Sequence, residues 1–148
     1  MKINRLGVVA LLAIAAVLVL SSCGGGGDKR LTKEQFAVKA NALCATFSKQ
    51  VNSLDQLTLR IDLYRKLIPH AQELIAGLKK LKPPADEEAD VKKAIALNER
   101  QLDRARAIIA ALKKRAGSTV IQLETQGFTT QSEIGKIFNK LGATECAG

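Results

Sequence analysis

Read only for apolar and polar positions, the chain opens on an uncharged apolar block of 15 residues, Leu6 to Leu20, and then settles into amphipathic segments of helical period. The first begins at Thr32. Thr32 with Gln35 three residues later forms a capping-box pattern, and Leu31 stands where a hydrophobic staple would pack against Phe36. Phe36, Ala40, Leu43, Phe47, Val51 and Leu54 then recur every three or four residues, which predicts a helix over about 32–54.

The second segment has the clearest periodicity: Leu57, Ile61, Tyr64, Ile68, Ala71, Ile75 and Leu78 alternate spacings of four and three, and Leu67, Leu74 and Leu81 widen the stripe. Pro69 lies in its middle, where loss of an amide donor and collision with the Arg65 carbonyl predict a kink rather than a break. Lys82-Pro83-Pro84 ends it, since a residue before proline avoids the helical region. The third segment runs from about Asp86 to Arg115, with Val91, Ile95, Asn98, Leu102, Ala105, Ile109 and Leu112 on one face and Gly117 as its stop. Asn98 on that face is a candidate for setting register through a buried hydrogen bond.

The fourth segment is weaker. Val120, Ile121, Phe128, Ile134, Ile137, Phe138 and Leu141 are apolar, but Gly127, Thr129 and Thr130 interrupt them, and Thr130 with Glu133 resembles a second capping box. One bent helix and two short ones both fit. No segment alternates as a strand does, and the expected fold is all-α: an antiparallel up-down bundle of about four helices.

Composition agrees with that class. Aromatic residues make up 3%, Trp is absent, and Ala, Leu, Ile, Lys, Glu, Gln and Arg dominate, the residues that lose least on entering a helix. The formal charge is +9, and removal of Lys2 and Arg5 with the leader would leave +7. A basic surface attracts anionic lipid, wall polymer or nucleic acid. Here, however, Lys79-Lys80, Lys82 and Lys113-Lys114-Arg115 fall at helix C-termini and Asp86-Glu87-Glu88 with Asp90 at a helix start, where each complements the helix dipole.

The apolar block follows Met1-Lys-Ile-Asn-Arg5, and 15 residues are too few for a comfortable bilayer span, so the pair reads as the n- and h-regions of a signal peptide. Leu20-Ser21-Ser22-Cys23 directly after it resembles the bacterial lipobox. That resemblance implies cleavage between Ser22 and Cys23 by signal peptidase II and attachment of a diacylglyceryl group, with or without an N-acyl chain, to Cys23. The expected organisation is a leader at 1–22, a lipidated Cys23 with a Gly-rich tether through residue 31, and a bundle domain over 32–148. The expected location is the extracytoplasmic face of a bacterial cell membrane, held by the lipid.

With Cys23 assigned to lipid, Cys44 and Cys146 remain, and outside the cytoplasm two thiols pair. An antiparallel fourth helix ends near the start of the first, whereas Cys44 sits about three turns in. Gly142 can cap the fourth helix in the left-handed conformation, letting Ala143-Thr144-Glu145 run back along the first to deliver Cys146.

Catalytic chemistry has no foothold. His70 is the only histidine and has no nucleophile partner in pattern; no Gly-x-Ser-x-Gly, HExxH, Walker A or dinucleotide fingerprint occurs. One His and two distant Cys do not compose a metal site, and export with no aromatic platform disfavours nucleic acid. The expectation is a non-enzymatic protein without a cofactor beyond its lipid, acting on an envelope protein or, alternatively, carrying an apolar ligand or lipid between helices.

The chain is similar to a family of small actinobacterial lipoproteins. The likeness rests on the lipobox and Gly-rich spacer, on Leu31-Thr-Lys-Glu-Gln-Phe-Ala-Val-Lys-Ala-Asn-Ala-Leu-Cys44, on the Pro-Pro pair, and on Leu141-Gly-Ala-Thr-Glu-Cys146. It implies an envelope-anchored helical domain with a first-helix to C-terminus disulfide. The stretch from Gly127 to Ser132 departs from the Ala-rich fourth helix of that family.

Overall fold

In a computed structural model, residues 29–54 and 59–148 are described. The capping box forms as its residues predict: Gln35 N–H donates to Thr32 Oγ1 at 3.2 Å and Thr32 N–H to Gln35 Oε1 at 3.0 Å. It opens α1, Lys33–Asn52. The chain entering it is pinned from behind, because Leu31 N–H donates to the Lys82 carbonyl at 2.8 Å.

The second helix, α2, spans Arg60–Lys80 and runs unbroken through Pro69. Leu57, the first residue of its predicted stripe, lies outside the described residues. After the prolines a short 3-10 turn, Ala85–Glu87, leads into α3, Glu88–Lys113. The fourth helix, α4, spans Gly117–Lys140, and a last 3-10 turn, Thr144–Cys146, closes the chain.

Two sequence expectations are corrected here, and the choice left open for the fourth segment is decided. Gly117 is not the stop of the third helix but the first residue of the fourth. The stop is Arg115, which takes the left-handed conformation at φ +56°. Arg115 N–H donates to the Leu112 carbonyl and Ala116 N–H to the Ala111 carbonyl, the two bonds of a Schellman closure. As for the fourth segment, α4 is one continuous helix. Its threonines do not compete with it, since Thr125, Thr129 and Thr130 each turn the hydroxyl back onto the carbonyl four residues earlier. Glu133 pairs with Lys93 at 2.7 Å instead of closing a second capping box. Secondly, Asn98 Nδ2 donates to the Ala94 carbonyl of its own helix at 2.9 Å, so it sets no register between helices.

The helices form the expected all-α bundle. One core joins Phe36 and Ala40 near the start of α1, Leu74 and Leu78 near the end of α2, Val91 and Ala94 near the start of α3, and Ile134, Phe138 and Leu141 near the end of α4. Neighbouring helices therefore run antiparallel. Because α3 packs on both α2 and α4, its buried stripe is broader than the predicted face and takes in Ala94, Leu97, Ile108 and Ala111.

The seam between α1 and α4 closes differently. Among the described residues no Cα of one lies within 8 Å of a Cα of the other; the C-terminal 3-10 turn sits between them and contacts both. Gly142, at φ +76°, directs the chain there, with Ala143 N–H donating to the Phe138 carbonyl at 2.9 Å. Glu145 N–H then reaches Asn41 Oδ1 at 2.9 Å, and Cys146 bonds Cys44 with a Cα separation of 5.1 Å. The expected disulfide and its delivery by Gly142 are both present.

Candidate functional site

Beyond the C-terminal turn the α1–α4 seam is left open, and a groove of about 480 Å³ lies along it. This explains why the α2 stripe, so regular in sequence, is fully buried only at Leu74, Ile75 and Leu78. Tyr64, Leu67, Ile68 and Ala71 stay half-buried because they form a groove wall. Leu102, Ala105 and Ile108 of α3 supply the rest of an apolar floor, and Phe47 of α1 lines one side. On α4 the exposed ring of Phe128, 77% accessible, also lines it.

Polar groups enter mainly from α3 and α4. Tyr64 Oη donates to Glu124 Oε1 at 2.9 Å, and Arg60 embraces both oxygens of the same carboxylate. Burial, then the bond to Glu124, pushes the Tyr64 hydroxyl up to about 12. Glu124 is thereby matched by a cation. Arg104 is not. Its half-buried guanidinium donates to Gln101 Oε1 and, at 3.2 Å, to Thr130 Oγ1, both neutral acceptors. Among the described residues no carboxylate lies within ion-pair distance of it. Gln101 in turn donates to the Gly127 carbonyl at 2.9 Å, which ties α3 to α4 beside the groove.

A second depression, about 460 Å³, lies between the end of α2 and the start of α3. It is bordered by charges already engaged with one another, Arg30 with Glu88, Lys92 with Glu88, and Lys79 with Glu99. The apolar groove is the better candidate, because its floor is hydrocarbon and its one unmatched charge faces a ligand-sized space.

Of the residues singled out from sequence, Ser22 and Cys23 lie outside the described residues. Cys44 and Cys146 are consumed by their bond, on the core side of the C-terminal turn. His70 sits half-buried on α2 with Nδ1 at 3.9 Å from Glu73 and no hydrogen bond. Among the described residues no cluster of three His, Cys, Asp or Glu could hold a metal, and no helix is long and apolar enough to cross a membrane. The groove residues Gln101 and Arg104 escaped the sequence reading. Their signal was present but quiet: they occupy the flank of the α3 stripe, three residues apart, where a solvent-facing pair looks the same.

No protein-family model, no curated protein and no solved structure matches this chain.

Proposed function

We propose that the chain is a lipid-anchored binding module of the bacterial cell envelope, held extracytoplasmically through Cys23, whose bundle carries an apolar ligand. The open α1–α4 seam carries this reading, since a bundle with only a structural task would close over Leu67, Ile68, Leu102 and Ala105 rather than leave them lining a 480 Å³ groove. The address is supported by the leader and the lipobox-like Leu20-Ser21-Ser22-Cys23, with the likeness to actinobacterial lipoproteins. Hydrocarbon, amides, the closed Arg60–Glu124 pair and the Arg104 guanidinium line the groove, a set suited to holding a ligand, and the role we propose is binding rather than catalysis.

Two measurements on cells expressing the full chain test it. A palmitate-type label should enter the wild type and not Cys23→Ala; equal labelling of both would remove the anchor. A photoactivatable uncharged hydrocarbon probe should crosslink to peptides from α2 and α3 that line the groove, and Ala71→Phe should suppress this. Crosslinking spread evenly over the surface would remove the ligand site.

A further inference from the structure

We infer that the groove takes a single-chain amphiphile with an anionic head, the chain lying on the α2–α3 floor and the head held by Arg104. This rests on the groove being a ligand site and goes on to name the ligand's chemistry. The first argument is charge. Arg60 and Glu124 cancel, so the groove keeps one net positive charge, at Arg104. A guanidinium has five N–H donors, of which Arg104 spends two on neutral oxygens. A half-buried cation without a counter-ion favours an arriving carboxylate or phosphate, whose two oxygens match the guanidinium fork.

The second argument is length. The floor along α3 from Asn98 to Ile108 rises through ten residue steps, about 15 Å of helix. Arg104 stands six residues from Asn98, so about 9 Å of that floor lies to one side of the head, room for a segment of one acyl chain. The volume, 480 Å³, falls in the lower part of the range for small-molecule sites, which suits one chain rather than two. Carboxylate and phosphate heads share this chemistry, and the test separates them.

The full chain in phosphatidylcholine nanodiscs is exposed to three photoactivatable probes with the same saturated chain: a fatty acid, a lysophosphatidate and the uncharged alcohol. Labelled peptides are identified by mass spectrometry, and each variant is checked for helix content and for the intact disulfide. The expected result is labelling of Leu67–Ile75 and Leu102–Ile108 by at least one anionic probe at about tenfold lower concentration than the alcohol. Whichever anionic probe does so names the head. Arg104→Gln abolishes the preference, Arg104→Lys keeps most of it, and Ala71→Phe blocks every probe. If the alcohol labels as well as both anions and Arg104→Gln changes nothing, the anionic head is overturned while the apolar site stands. If no probe labels the groove, or if the protein is a dimer that Phe128→Ser dissociates and whose contact covers these peptides, both readings fall.

Discussion

Gly135 lies so close against the carbonyl of Ala147 that a β-carbon on it would stand 2.7 Å from that oxygen. The C-terminal turn is seated on α4 at this point, and the neighbour is backbone, which cannot swing aside. Gly135→Ala should therefore lift the turn and cost about 1–3 kcal/mol. Urea unfolding should report the loss, with faster amide exchange over residues 144–148. Gly127, also inside α4, is the control: its added carbon would meet Gln101 and Arg104 side chains at 3.6 and 3.7 Å, ordinary contact. Gly127→Ala should gain about 0.5–1 kcal/mol from helix propensity alone.

Arg115 holds a conformation that costs a side chain of its kind, at φ +56°. Arg115→Gly keeps the Schellman closure without that cost, and a rise in stability of about 0.5–1 kcal/mol should follow in thermal unfolding. Gly117→Ala, two residues on and in open space, should bring no clash.

The two turns at Arg115 and Gly142 mark what was legible beforehand. Signals contained within a few residues could be read: the Thr32–Gln35 box, the Pro83-Pro84 stop, and glycine at 142 after a helix. At Arg115 the geometry is the same as at Gly142 but the residue is not glycine, so the sequence pattern places the stop at the next glycine, two positions late. The threonines of α4 leave two readings open for a related reason, because their hydroxyls can either cap a helix or bond back into it, and only the surrounding helix decides. The open seam was least legible. A heptad-like stripe states that α2 has an apolar face, and says nothing of whether α4 and α1 meet above it.

The Cys44–Cys146 bond spans 102 residues of sequence. A chain-entropy account assigns such a loop about 4–5 kcal/mol. The double variant Cys44→Ala/Cys146→Ala should lose a comparable amount in urea unfolding, with exchange protection falling first in residues 141–148. Equal stability with and without the bond would contradict this account.

Stability should be highest between about pH 5 and pH 10 and fall on both sides. Glu34 is held below the usual carboxylate range by its own backbone N–H and the Thr32 hydroxyl, Glu88 by Lys92 and Arg30, and Glu133 by Lys93. Each is protonated more readily when unfolded, so their contribution is present above the ordinary carboxylate value near 4.5 and lost as pH falls below it. Tyr64 moves the other way, from 10.0 to about 12, and Asp90 raises Lys140. Both hold their protons longer when folded, and their contribution is lost as pH rises beyond 10. Unfolding midpoints across pH 3–11 check both limbs, and Tyr64→Phe should flatten the alkaline one.

The same Cys44–Cys146 bond has a topological consequence. It makes a covalent ring of α2, α3, α4 and the second half of α1, leaving outside it the residues before Cys44, the first turns of α1 among them, and the last two residues. A protease that cuts once at any peptide within the ring, such as the short link at residues 114–116, opens it without releasing a fragment. The nicked molecule keeps its mass apart from one added water, runs as one chain until reduced, and still carries every helix on whatever holds its N-terminus.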